Sequence, residues 1–379
     1  MTIGVLGGGQ LGRMIALSGY PLGLRFRFLD PVDKACVDLL APRVRGAWDD
    51  SDALARFADG LDVVTYEFEN VPVETVRGIE ALGVAVLPGA RALEVSQDRV
   101  AEKQFLNAQG VATAPFAAVD SEAALHEAVA RLGLPAVLKT RRGGYDGKGQ
   151  IVLRTNEDVA GAWAELGSVP LILEGFVAFE RELSIVAARD RAGNVACYPL
   201  VQNVHREGIL RLTFAPAPGV GPALQERAER WVRAVLDALG YVGVIAIELF
   251  ERDGELVANE MAPRVHNSGH WSIDGAVTSQ FELHVRAVSG LPLGSTAPQG
   301  VSLMVNVIGT LPDAARVASV EGAHVHLYDK EPRAGRKIGH VTLNAPDAST
   351  LAARVPALAS AMAFEAAEAG EVDRVLRHW

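Results

Sequence analysis

Short apolar runs recur at regular intervals along the first hundred residues: TIGVLG, LRFRFLD, LDVVTYEF and VAVLP, each separated by amphipathic or Ala-rich stretches. That alternation is a β-α-β pattern and predicts a parallel sheet. One helical stretch, ARALEVSQDRVAEKQFLNAQG, closed by Gly110, leads out of it. From Thr113 to about Val177 comes helix SEAALHEAVARLG, strand LPAVLK, a glycine-rich loop, strand IVLRT, helix NEDVAGAWAEL and strand VPLILEGFV, a compact α+β unit suited to a lid. From about Arg181 the strands lengthen: ELSIVAARD, NVACYPLVQNV, the pair VGVIAIELF and ELVANEM, and later HVHLYDK and HVTLNAP. An antiparallel sheet is the natural arrangement for them. The helix PALQERAERWVRAVLDALG and an Ala-rich helix around TLAARVPALASAMAF accompany this sheet. The pattern contains no internal repeat and no low-complexity linker, so tightly packed domains are expected.

Composition narrows the classes. A chain of 379 residues calls for two or three domains, and 49% hydrophobic with 22% charged residues describes a soluble globular protein. The net charge of −10 argues against a general nucleic-acid binder, so any anionic ligand has to be met by local basic clusters. No basic segment followed by an apolar run stands at the N-terminus, and VGVIAIELF is far too short to span a bilayer, so no membrane association is expected. Cys36 and Cys197 lie far apart without metal spacing and read as two reduced thiols in the cytoplasm.

Candidate chemistry begins at GVLGGGQLG. Gly7, Gly9 and Gly12 satisfy G-x-G-x-x-G between an apolar strand and a helical run, and Asp30 ends the second strand where a ribose-binding carboxylate would sit. Such glycines let backbone amides at a helix N-terminus approach an anion; a dinucleotide is one candidate among several. The loop KTRRGGYDGKGQ, residues 139 to 150, is denser in chemistry. Its glycines can wrap phosphate oxygens and Lys139 can place an ammonium on them, although no Ser or Thr follows Lys148 as in a G-x-x-x-x-G-K-[ST] loop. In LILEGFVAFEREL, Glu174 and Glu182 end and begin strands; a strand-end backbone such as EGFV can read an adenine edge, while exposed glutamates at strand ends are also commonplace. Glu248 and Glu260 lie on strands joined near Asp253 and Gly254, and a three-residue loop centred on Gly254 pairs them across the hairpin on one face. Carboxylates so placed repel unless a hard cation lies between them, which suggests Mg²⁺, with Asn259 a third ligand. APRVHNSGH then packs Arg264, His266, Asn267, Ser268 and His270 into one loop, and YDKEPRAGRKIGH gathers Lys330, Arg333, Arg336 and Lys337 into an anion trap.

In order, GGGQLGRM, EKQ, KTRRGGYDGKGQ, ELF, NEMAPRVHNSGHW, QFELH and YDKEPRAGRKIGH resemble the N5-carboxyaminoimidazole ribonucleotide synthetase family of ATP-grasp enzymes, over nearly the whole chain. The resemblance implies an α/β and α+β protein. It would have a Rossmann-like ribonucleotide-binding domain (1–97), a linker helix and ATP-grasp lid (98–180), and an antiparallel-sheet domain with a small C-terminal subdomain (181–379). It implies carboxylation of 5-aminoimidazole ribonucleotide with ATP, Mg²⁺ and bicarbonate through carboxyphosphate, by a cytoplasmic homodimer. The glycine turn would then lie against a ribose phosphate instead of a dinucleotide.

Carried onto this sequence, Arg99, Lys139, Gly144, Tyr145, Asp146, Gly147, Lys148, Gly149, Gln150, Glu174, Gly175, Phe176, Val177, Glu182, His205, Asn259 and Glu260 match ATP contacts, and Glu248 and Glu260 match Mg²⁺ ligands. Gly9, Gln10, Leu11, Glu67, Tyr145, Lys148, His266, Asn267, Ser268, Lys330 and Arg336 match the ribonucleotide site, with Asp146, Lys330, Tyr145 and His266 as catalytic groups and Asp146 as base. The chain departs from the family at Lys148, where Arg is expected; an ammonium replaces a planar fork but keeps the charge. Two rival readings are a formyltransferase of the same superfamily acting on glycinamide ribonucleotide with formate, and, in another class, a Rossmann oxidoreductase using GGGQLG and Asp30. A non-catalytic nucleotide-binding regulator is a third reading.

Overall fold

The computed structural model describes residues 1–144 and 147–379; Tyr145 and Asp146 lie outside the described residues. The first apolar runs form strands β1 (Thr2–Leu6), β2 (Arg25–Leu29), β3 (Arg43–Val44) and β4 (Val63–Tyr66), ordered β3-β2-β1-β4 and parallel throughout. VAVLP does not become a strand of its own: it touches the sheet only through a bridge between Val64 and Val86. The stretch read as one helix is two, Ala90–Ser96 and Arg99–Ala108. Asp98 divides them because its carboxylate caps the second helix, accepting from the Val100 and Ala101 amides at 3.0 and 3.3 Å.

The lid sheet comprises β5 (Phe116–Val119), β6 (Ala136–Thr140), β7 (Gln150–Leu153) and β8 (Leu171–Gly175), ordered β5-β8-β6-β7 and antiparallel. A core of Val119, Leu125, Leu138, Leu153 and Leu171 joins it to the helix Glu122–Leu132. The third sheet contains β9 (Arg181–Arg189), β10 (Val195–Cys197), β11 (Val201–Arg206), β12 (Ile209–Ala215), β13 (Gly243–Arg252), β14 (Glu255–Ala262), β15 (Val301–Ile308), β16 (Ala323–Leu327) and β17 (Lys337–Ala345). Its order is β14-β13-β9-β11-β12-β15-β17-β16, with β10 on the side of β9. NVACYPLVQNV therefore gives two strands, separated at the segment holding Pro199, which has no amide hydrogen for a ladder.

The β13–β14 hairpin decides the site. Its turn has two residues, Asp253 and Gly254, both at positive φ (54° and 71°), the conformation that matches strand twist. That turn alone would set Asn259 opposite Glu248. A bulge inserts Asn259 as an extra residue, so Leu249 faces Ala258 and Glu248 faces Glu260. The three-residue loop expected from sequence is thus replaced by a shorter turn plus a bulge that yields the same carboxylate pair.

Candidate active site

A cavity of about 600 Å³ lies where the three sheets meet. Gln10 and Leu11, which start the first helix, and Glu67, just after β4, border it; Lys139, Gly144, Gly147, Lys148, Gln150 and Glu174–Val177 border it from the lid. Glu182, His205, Glu248, Asn259, Glu260, His266 and Asn267 border it from the large sheet, and Arg99 from the intervening helix. Gly9, Gly149, Ser268, Lys330 and Arg336 are not among its lining residues.

The glycine turn is already occupied by carboxylates of the chain itself. Gly8 N–H donates to Asp30 at 2.6 Å, while Gly9 and Gly12 N–H donate to Glu67, the latter at 2.7 Å. The positive end of the helix Gln10–Gly19 therefore meets Glu67, whose carboxyl burial pushes above its ordinary range despite those amides. A Cβ on Gly9 would lie 2.5 Å from Glu67 Oε1. Gly9 is consequently no open ligand contact, because its amide is committed, and Glu67 is an anchor with both oxygens engaged. Asp30, bonded to Gly8 and Val32 amides, does not stand free as a ribose acceptor. A pyrophosphate would have to expel both carboxylates, which removes the physical basis for the dinucleotide reading. Gln10 instead accepts from Lys330 Nζ, which brings the glycine turn and the basic turn together.

At the lid end, Glu174 Oε2 lies between Lys139 at 3.0 Å and Lys103 at 3.3 Å. Burial works against its ionisation, but the two ammonium groups hold it below the ordinary carboxylate range. Its Oε1 is buried and, among the described residues, has no hydrogen-bond partner, an acceptor left over at the edge of the cavity. Gly147, at φ 74°, approaches the β11–β12 turn so closely that a Cβ would lie 2.9 Å from Gly208 Cα, so the glycine loop rests against the large sheet. Glu182 bonds His205 Nδ1 at 2.5 Å; burial disfavours the imidazolium, yet Glu182 and Glu248 raise its pKa overall.

Glu248 meets His266 Nε2 at 3.2 Å, and Glu260 meets Arg99 at 2.6 Å. Burial opposes ionisation of Glu248, but His266, His205 and Lys337 hold it well below the ordinary carboxylate range. Ser268 lies fully buried and outside the cavity lining, taking a hydrogen bond from Ser184 (2.7 Å) and bonding His266 Nδ1 (2.9 Å), so it orients His266. Gln280 of QFELH clamps His266 from the other side, accepting from its amide at 2.9 Å and donating to its carbonyl at 2.6 Å. Asn267 borders the cavity and exchanges hydrogen bonds with Asn306.

Several lining residues were not singled out as ligands by their sequence. Glu69, just after β4, pairs with Arg264, just after β14; burial opposes it, but that guanidinium holds its carboxyl at about 2. Burial pushes Glu102 up to about 8. Lys103 also lines the wall, as does Lys337 of the basic turn already marked as an anion trap. Glu102 and Lys103 belong to the EKQ motif, which flagged the position without showing what the side chains touch.

The donor set around Glu248 and Glu260 fits a hard divalent cation. Both ligands are carboxylate oxygens in direct cross-strand register, and among the described residues no third His, Cys, Asp or Glu completes a cluster, which leaves the remaining positions to water and phosphate.

An acidic hairpin, a glycine loop on a small antiparallel sheet and a nucleotide-sized cavity between them define an ATP-grasp protein, and the ATP-grasp domain model matches residues 104–281. The ribonucleotide synthetase preATP-grasp domain matches 1–97, and the phosphoribosylaminoimidazole carboxylase C-terminal domain matches 302–354. The chain is 55% identical over 355 residues to N5-carboxyaminoimidazole ribonucleotide synthase of Pseudomonas aeruginosa, covering 94% of this chain and 98% of that protein. The Brucella melitensis protein of the same name is 48% identical over 349 residues, covering 90% and 95%. The Thermus thermophilus N5-carboxyaminoimidazole ribonucleotide synthetase structure superposes with a TM-score of 0.92 at 55% identity, covering 96% and 99% of the two chains. The Aspergillus clavatus enzyme in complex with ADP and 5-aminoimidazole ribonucleotide gives 0.88 at 31%, covering 96% and 98%. The chain belongs to the N5-carboxyaminoimidazole ribonucleotide synthase family.

Proposed function

We propose that this chain joins bicarbonate to the exocyclic amine of 5-aminoimidazole ribonucleotide at the expense of ATP, giving ADP, phosphate and the N5-carboxylated ribonucleotide for purine biosynthesis. The observation that carries this reading is the single cavity with two differently equipped ends. Lys139, Glu174–Val177, Glu182 and His205 suit a nucleotide at one end; Gln10 and Leu11, with Lys330 bonded to Gln10, suit a ribonucleotide at the other.

Bicarbonate is a poor electrophile. Attack of its oxygen on the γ-phosphorus releases ADP and forms carboxyphosphate, which breaks down to phosphate and CO₂ inside the cavity, where the amine attacks carbon and then loses a proton. Asp146 is our candidate for that proton, with Tyr145 next to it in sequence; both lie outside the described residues. His266, oriented by Ser268 and Gln280, stands beside Glu248 and can bind the reacting carboxyl group. Glu248 and Glu260, with Asn259 adjacent, would hold Mg²⁺, which when bound offsets charge on the transferring phosphoryl group. Lys148 keeps a positive charge on the loop that borders the same space.

The reading extends to a cytoplasmic homodimer, the state implied by the family resemblance. No helix among the described residues is long and apolar enough to cross a membrane. The deciding assay supplies ATP and Mg²⁺ and measures ADP. Release should require bicarbonate and 5-aminoimidazole ribonucleotide together; release that requires formate and glycinamide ribonucleotide, or consumption of NADH, would replace this function with another.

A further inference from the structure

The EKQ motif has no part in the chemistry above, yet it sits on the helix Arg99–Ala108 against β14, and its side chains grip the backbone on both sides of Glu260. Lys103 Nζ donates to the Asn259 carbonyl at 3.0 Å, and Glu102 Oε1 accepts from the Met261 amide at 2.6 Å. Arg99, one turn earlier on the same face, donates to the Glu260 carboxylate. Three consecutive residues of one strand thus answer to three side chains of one helical face.

β14 is a terminal strand of its sheet, so the backbone groups of its outer edge have no neighbouring strand. Ala258 N–H finds the Ala112 carbonyl at 2.7 Å. Beyond that point the strand bulges at Asn259, and the groups flanking Glu260 are satisfied by Lys103 and Glu102 instead. The Lys103 side chain is 1% exposed and shares Glu174, itself 5% exposed, with Lys139. An ammonium so deeply buried is costly unless each partner is in place, which fixes Lys103 firmly.

The bulge matters because side chains alternate with a period of two. With the register of Leu249 and Ala258 continued unbroken, Asn259 would face Glu248 and Glu260 would turn to the other side of the sheet. We infer that Glu102 and Lys103 are positioning residues that latch the Asn259 bulge and thereby hold Glu260 opposite Glu248. The inference rests on the reading of Glu248 and Glu260 as the Mg²⁺ pair.

The test is calorimetric titration of the full-length protein with ADP, in Mg²⁺ and in EDTA, with the ratio of the two affinities as readout. Disturbing Glu174 or the nucleotide pocket alone weakens both titrations together and leaves the ratio unchanged. Lys103→Met, which keeps side-chain length and removes the ammonium, should lower the ratio by about 10- to 100-fold, the range usual for residues that orient metal ligands. Glu102→Leu should do the same, whereas Glu102→Gln retains a carbonyl acceptor for the Met261 amide and should keep most of the ratio. The Glu102 pair decides the matter if Lys103→Met does not fold. Glu260→Gln is the reference: if it loses the ratio while folded Lys103→Met and Glu102→Leu keep it, the latch is wrong and the metal pair stands. If Glu260→Gln keeps it too, the metal reading falls and the latch with it.

Discussion

Glu248 stands directly opposite Glu260 although the turn between their strands is a residue too short to place it there, and the bulge at Asn259 makes up the difference. His266 and Arg99 already face these carboxylates, and their shared register leaves both able to bind one divalent cation. Glu248→Gln and Glu260→Gln should each lower ADP formation dependent on 5-aminoimidazole ribonucleotide by at least about 100-fold. Circular dichroism should show the fold retained. Undiminished steady-state turnover of either variant at ordinary Mg²⁺ would remove that carboxylate from the metal site.

The glycine turn makes a separate prediction about stability. Gly9→Ala places a methyl group 2.5 Å from Glu67 Oε1, so the carboxylate has to leave the amides of Gly9 and Gly12 while remaining buried. An unsatisfied buried group of this kind costs about 1–3 kcal/mol. Urea unfolding should report a loss of that order; a variant as stable as the parent would show that Glu67 does not need those amides.

His284 supplies a pH dependence whose sign follows from its contacts. The Val244 amide donates to Nδ1 at 3.1 Å, so the neutral ring carries its proton on Nε2, which meets Thr65 Oγ1 at 2.8 Å. Burial lowers its pKa to about 4, against about 6.5 in an unfolded chain. The unfolded state therefore binds a proton first as pH falls, and the stability that neutral His284 confers, complete above pH ~6.5, is lost between ~6.5 and about 4 at roughly 1.4 kcal/mol per unit. His284→Gln should be less stable at neutral pH yet lose less stability on acidification, closing the gap by about 2 kcal/mol at pH 5. His270 and His340 are also buried with lowered pKa values, so only the difference between variant and parent isolates His284. Parallel stability curves would show that His284 takes up its proton over the same pH range folded and unfolded, so that burial does not shift it.

What the sequence made legible was local. Alternating apolar runs marked β1, β2 and β4, and Gly254 marked the β13–β14 turn, because each depends on neighbours a few residues away. VAVLP carried the same apolar signal but adds only one bridge. The helix break at Asp98 depends on a capping carboxylate hidden inside a helical pattern. The pairing of Glu69 with Arg264, 195 positions apart, leaves no periodic trace, and neither does the capture of the Gly9 amide by Glu67. The glycine fingerprint pointed to an anion at the helix N-terminus; that anion is a side chain of the protein.

The basic turn offers the sharpest division between the two ends of the cavity. Burial raises the Cys36 thiol pKa and the Glu67 carboxylate adds to it, while Lys330, Arg336 and Arg13 pull it down, so three cations and one carboxylate surround this residue. Arg13 also donates to the Cys36 carbonyl at 3.1 Å, which fixes its place there. In a chain of net charge −10 such convergence suits a phosphate, and each well-made contact from a cation to phosphate contributes about 1.5–3 kcal/mol. Arg336→Ala should therefore raise KM for 5-aminoimidazole ribonucleotide by about 10- to 100-fold with little change in KM for ATP. The dephosphorylated nucleoside should be affected far less, because it lacks the group the cations hold. A variant loosened throughout would damage both substrates, and equal losses in steady-state kinetics would place the turn outside the ribonucleotide site.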